Sequence, residues 1–156
     1  MNVMSHFLFI AGALRERSSE DSAELQLSHG LWGLCTSLIK TNLETYLEPQ
    51  SRGLVYVLKA GLCAEFQIRS LVLPFRDLDE LLKDDLKTEA RFGFVRVSIL
   101  RRWVSSPQES QAILQSVLQI PDQAELTRRL ALGMHRLTET EYEAIVRGIG
   151  EPAGTR

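Results

Sequence analysis

SHGLWGLCTSLIKTNLETYL (residues 28–47), followed by GLVYVLKAGLCAEFQIRS (residues 53–70), decides the reading of this chain. Gly30 and Gly33 flank Leu31 and Trp32. Glycine admits backbone conformations that other residues avoid, so this spacing predicts a tight loop or a strand forced to bend. Asn42 is placed to cap a short helix whose apolar positions, Leu43, Tyr46 and Leu47, follow helical spacing. Residues 49–53 (PQSRG) read as a turn. Residues 54–58 are apolar and predict a buried strand, and Lys59-Ala60-Gly61 turns the chain into a hairpin. In the returning strand Leu62, Ala64, Phe66 and Ile68 alternate with Cys63, Glu65, Gln67 and Arg69, one face apolar and one polar. An indole held beside free backbone at the mouth of such a β-structure suits the capture of a flat ring by stacking.

Outward from this stretch, residues 7–11 (FLFIA) predict a first strand. Ser19 is placed to cap a helix to about Leu27, with Glu20 and Asp21 in its first turn. LVLPF (71–75) predicts a further strand ended by Pro74. The acidic stretch 77–89 carries Leu78, Leu81, Leu82 and Leu86 and reads as a solvated surface helix. Residues 92–101 predict a strand with Phe92, Phe94 and Arg96 on one side and Val95, Val97 and Ile99 on the other. Ser106-Pro107-Gln108-Glu109 and Thr138-Glu139-Thr140-Glu141 are capping boxes that open helices to about Gln119 and Ile149. Between them Pro121 and Asp122 start a helix that Gly133 ends. Clustered strands with flanking helices imply an α+β fold, a small mixed barrel with its C-terminal helices packed against it. The expected organisation is one domain over residues 1–149, with GEPAGTR (150–156) a flexible tail or linker. Neither GxGxxG nor GxxxxGK[ST] occurs, which removes the common nucleotide-binding folds.

At 156 residues the chain can bury a core without disulfide or metal staples. HFLFIAGAL (6–14) lacks the positive flank and length of a signal core, so a buried strand and a cytoplasmic address are expected. The net charge of −2 excludes a chain that binds polyanions over its whole surface. Any nucleic-acid role needs a local patch and a specific pocket. Cys35 and Cys63 stand far apart, outside metal-ligand spacing, and read as small buried hydrophobes.

Catalytic candidates are few. His6 and His135 read as structural; His29 gains interest from its place beside the Trp loop. A Cys35–His29 dyad would make a small-molecule enzyme, if the two side chains touched and the thiol were exposed in an electropositive setting. The acidic run 77–85 lacks the glycine and ligand order of a calcium loop. No catalytic residue, metal or cofactor is expected. Trp32 and Trp103 each have an ordinary alternative as core side chains. Phe7, Phe9, Tyr56, Phe66 and Trp103 are candidates for a second wall facing Trp32. Arg101 and Arg102 precede Trp103, a trio suited to a phosphate and a base unless the arginines are simply solvated.

The order FLFIA, GLWGL, a short helix and LVYVLKAGLCAEFQIRS resembles the EVE domain of the PUA-like superfamily, related to the YTH domain. LALGMHRLTETEYEAI (130–145) resembles the closing helices of small EVE proteins. The resemblance implies a compact β-barrel ringed by helices, with a pocket beside the Trp loop. It implies a non-enzymatic reader of a modified, typically methylated, base flipped out of DNA or RNA. On that analogy Trp32 stacks on the base and the backbone of Leu31, Gly33 and Leu34 bonds its edge. Ser37, Asn42, His29, Tyr56 and Trp103 complete the base-binding set, and Arg52, Arg101 and Arg102 meet phosphate. The implied partner is nucleic acid carrying a modified base, DNA rather than RNA, with a fused or recruited motor or nuclease in a modification-dependent restriction system; no membrane partner is implied. The sequence departs from the family where Ser51-Arg52-Gly53 replaces a Gly-Asp turn. The alternative is a protein-interaction or structural domain with a vestigial pocket.

Overall fold

The computed structural model describes residues 4–12, 17–34, 47–131 and 133–150. The Asn42 helix and the 151–156 tail lie outside them.

Among the described residues six strands form one mixed sheet: β1 (His6–Ala11), β2 (Leu31–Gly33), β3 (Arg52–Val57), β4 (Gly61–Ile68), β5 (Phe94–Arg102) and β6 (Met134–Leu137). Their order across the sheet is β2-β5-β4-β3-β1-β6, an α+β half-barrel in which only the β1–β3 pairing is parallel. The predicted hairpin joins β3 to β4, with Lys59 and Gly61 both at positive φ.

The helices are α1 (Ser19–Ser28), a single turn α2 (Glu80–Lys83), α3 (Pro107–Leu118), α4 (Gln123–Leu130) and α5 (Glu139–Ile149). Ser18, rather than Ser19, caps α1 by accepting from the Asp21 amide. Ser106, Asp122 and Thr138 cap α3, α4 and α5, and Thr138 and Glu141 complete a reciprocal capping box.

Side chains of β1 alternate between two cores. Phe7, Phe9 and Ala11 pack with Ala23 and Leu27 of α1 and with Trp32, Phe66 and Val95. Leu8 and Ile10 point the other way, into a layer made with Leu114, Leu126, Tyr142 and Ile145 from α3, α4 and α5. The sheet is thus covered on both faces.

Further sequence expectations change. Leu62 and Ala64 do not share a face: the register shifts at Val55/Tyr56, so Leu62 joins Tyr56 in the second core while Ala64 joins the first. LVLPF is no strand; only Leu73 bridges to Phe94. The acidic segment is one helical turn followed by turns, and it is not wholly solvated: Leu78, Leu86 and Ala90 build a third small core with Leu31 and Phe94. Between the helix end at Gly133 and the cap at Thr138, where no strand is expected, Met134–Leu137 form β6, which covers the outer edge of β1.

Candidate functional site

The Trp loop is a short edge strand. Gly30 turns the chain at φ +66° after α1, and Leu31, Trp32 and Gly33 then pair with Arg96, Val95 and Phe94. Alternation along β2 sends Leu31 into the third core and Trp32 into the first. Trp32 is only 3% exposed, its ring centred 6.2 Å from Phe9 and 6.0 Å from Phe66.

Burial does not leave the indole sealed. It lines a cavity of about 170 Å³ at the C-terminal end of β1. Phe9, Leu34, Leu58 and Met134 supply apolar wall, and Ser22, Gln26 and Glu89 supply the polar part. An apolar cavity of about 150 Å³ is enough for a benzene ring. The volume therefore suits one planar ring.

The polar side chains form a connected network. Glu89 accepts from Ser22 Oγ at 2.9 Å and from Arg17 Nη1 at 2.7 Å. Gln26 Nε2 donates to the Ser22 carbonyl at 3.1 Å, and Gln26 Oε1 accepts from the Gly33 amide at 2.7 Å. The network ties α1 and the end of the acidic segment to the Trp strand. Its hydroxyl and amide donors are spent within the protein, while the Glu89 carboxylate oxygen serves as acceptor.

The sequence-predicted site residues divide accordingly. Trp32, Gly33 and Leu34 line the cavity. The Gly33 amide bonds to Gln26 and the Leu34 amide to the Gly93 carbonyl, so neither is spare for a base edge. Leu31 is fully buried away from the cavity. His29 is exposed at the C-terminal end of α1 and is not part of the lining. Tyr56 and Trp103 are buried in the second core, across the sheet from Trp32, so they do not form its second wall. Phe9 does. Ser37 and Asn42 lie outside the described residues, as does Cys35.

The three arginines separate as well. Arg102 pairs with Glu24 at 3.0 Å on the surface. Arg101 Nε binds the buried Glu65 at 2.7 Å and its guanidinium stacks 5.4 Å from the Trp103 ring. Arg52 and Arg101 share a different cavity, near the start of β1. Glu65 itself, expected on a polar face, is 1% exposed.

Ser22, Gln26 and Glu89 were not legible as site residues. Glu89 sits in an acidic run that reads as solvated. The signal was the spacing of Leu82, Leu86 and Ala90, which turns Glu89 towards the packed side.

Among the described residues no group of three or more His, Cys, Asp or Glu is placed to hold a metal, and no helix is long and apolar enough to cross a membrane. Burial raises the Cys63 thiol pKa to about 11, the opposite of an activated nucleophile.

No family model and no curated protein sequence matches the chain. Solved structures do. The human THYN1 protein, in complex with 5-methylcytosine-containing DNA, superposes with a TM-score of 0.61 at 14% identity, over 95% of this chain and 99% of that one. The YTH domain of Zygosaccharomyces rouxii MRB1, in complex with N6-methyladenosine RNA, gives 0.64 at 14% identity, over 97% and 90%. The DUF55 domain of human thymocyte nuclear protein 1 gives 0.59 at 18% identity, over 94% and 100%. At these identities the likeness is one of fold, and it agrees with the strand order and the helix-covered half-barrel. The chain has the PUA-like fold of the EVE and YTH type.

Proposed function

We propose that this protein is a binding module that reads a modified base in nucleic acid, with no chemistry of its own. The observation that carries the reading is an indole that lines a ring-sized cavity together with a connected polar network. Trp32 and Phe9 supply stacking surface, worth about 1–3 kcal/mol per base. Glu89 supplies an acceptor for a base edge. Reaching such a cavity requires the base to leave its stack, at a cost of a few kcal/mol, which is least where pairing is already weak. Two proteins of the same fold are bound to methylated nucleic acid, one DNA and one RNA, which supports this class of ligand. We take methylated DNA as the substrate and a modification-dependent restriction system, with a fused or recruited motor or nuclease in the cytoplasm, as the setting.

The net charge of −2 makes weak affinity for unmodified polymer the expectation. The experiment uses a Trp103→Phe background, in which Trp32 is the one fluorophore of its kind. Oligonucleotides with N6-methyladenine, 5-methylcytosine or no modification are titrated in turn, single- and double-stranded. Quenching of Trp32 by a modified oligonucleotide, saturating well below the plain one, is the expected result. Equal response to every oligonucleotide at low and high salt removes the reader and leaves the interaction domain.

A further inference from the structure

A second cavity, of about 360 Å³, lies at the opposite end of β1. His6, where it opens, and Ala11, beside the Trp32 cavity, stand five residues apart, about 16 Å along an extended strand. The two cavities share no lining residue.

Its floor is a buried ionic cluster. Glu65 accepts from Arg101 Nε at 2.7 Å through one carboxylate oxygen and from the Tyr142 hydroxyl at 2.5 Å through the other. Glu65 is thus satisfied, and Arg101 is directed at it. Arg52 is different. Its Nε is buried and without a hydrogen-bond partner. Among the described residues its guanidinium forms no ion pair, although Glu65, Glu139 and Glu143 line the same cavity. A buried charged donor left unmet is costly, and such a group calls for a partner, whether an ordered water, an ion or a ligand. A guanidinium is shaped for two-point contact with a planar oxyanion.

We infer that this cavity is a binding site for a small monoanionic carboxylate, held by Arg52 against the Glu65–Arg101–Tyr142 floor. The rim selects the charge. Glu139 and Glu143 are exposed at the entrance, offset by a single Arg147. Both carboxylates repel any anion on entry, but a dianion such as phosphate about twice as strongly as a monoanion of modest size. His6 reports on occupancy. Its ring centre lies 4.7 Å from that of Tyr142, and its pKa is lowered by burial first, with Arg52 adding to the effect and Glu139, Glu143 and Glu65 opposing it. A carboxylate on Arg52 cancels that cation and raises the His6 titration point.

The experiment titrates the intact chain with sodium acetate, inorganic phosphate and chloride at constant ionic strength. The Arg52 Nε–H and the His6 ring are followed by NMR. Acetate at millimolar concentration is expected to give saturating shifts at both residues and an upward move of the His6 midpoint. Phosphate is expected to bind at least roughly tenfold more weakly. Chloride is expected to give no saturation. Arg52→Gln is expected to abolish acetate saturation, and Arg52→Lys to weaken it by losing the fork. Absence of saturation in the parent protein, or saturation unchanged by Arg52→Gln, overturns the site. Phosphate binding as tightly as acetate overturns the ligand class. Should Arg52→Gln fail to fold, the acetate-against-phosphate comparison in the parent protein decides alone.

Discussion

Gly33 lies so close to Glu89 that a Cβ on the glycine would fall 2.4 Å from the Glu89 carbonyl oxygen. The two residues are drawn together by Gln26, which accepts from the Gly33 amide and donates to Ser22, which in turn donates to Glu89. The second glycine of the Trp loop therefore serves backbone approach, while Gly30 supplies the left-handed turn. Gly33→Ala is expected to push β2 off the end of the acidic segment at a cost of about 1–3 kcal/mol. Because Trp32 moves with that strand, binding of a modified oligonucleotide should fall in the same variant. Denaturant unfolding and fluorescence titration together check this. A variant of parental stability would mean that the backbone relaxes freely at this contact.

Trp32 holds up the core as well as facing the cavity, so its removal cannot report on binding alone. Trp32→Ala is expected to destabilise by about 3–5 kcal/mol, as large-to-small changes in cores do. Trp32→Phe keeps an aromatic wall and should cost less, while reducing stacking area and hence affinity. Melting temperatures and oligonucleotide titrations of the two variants separate the roles. Loss of affinity in Trp32→Phe beyond any loss of folded protein assigns the indole to the ligand.

Much of the fold was legible because local chemistry and tertiary packing agreed. The caps at Ser106, Asp122 and Thr138 each start a helix as read, and Lys59-Ala60-Gly61 turns a hairpin as read. The failures came where packing overrode local pattern. Met134-His135-Arg136-Leu137 is too short and polar to announce a strand, yet the outer edge of β1 pairs with it. The bulge opposite Val55 and Tyr56 breaks strict alternation in β4 and sends Leu62 and Ala64 to opposite faces, whereas Tyr56, one residue on from Val55, faces away from Trp32 by ordinary alternation and shares the second core with Trp103. Of the site, the sequence marks the indole through its glycines. It conceals Ser22, Gln26 and Glu89 because a serine, a glutamine and an acid on polar-looking segments are ordinary surface residues until tertiary contacts bury them.

Tyr142 provides a second stability test. Its hydroxyl donates to Glu65 at 2.5 Å, and burial together with that bond holds its pKa far above the ordinary phenol. Tyr142→Phe leaves a buried carboxylate with Arg101 as its one remaining described donor. The expected loss is about 1.5–3 kcal/mol, the range for a hydrogen bond to a charged group. Glu65→Gln in the Tyr142→Phe background should cost less than the two single losses added, since the residues act as one network. Chemical denaturation of the double-mutant cycle measures the coupling; strict additivity would mean that the two groups do not interact in solution.

The histidines set the response to acid. His6 and His135 both have pKa values lowered from 6.5, in each case chiefly by burial. His135 Nε2 meets the Arg129 carbonyl at 2.6 Å, which partly opposes the shift. A folded state that resists protonation binds fewer protons than the unfolded chain. Stability is therefore complete above about pH 6.5 and is lost as the pH falls through and below that value, towards the lowered folded-state values. His6→Asn and His135→Gln are each expected to flatten the curve of unfolding free energy between neutral pH and pH 5, and the double variant to flatten it most. Urea unfolding at a series of pH values checks this. A parental curve that rises on acidification through this window would reverse the sign and place the imidazolium of at least one residue in a stabilising contact.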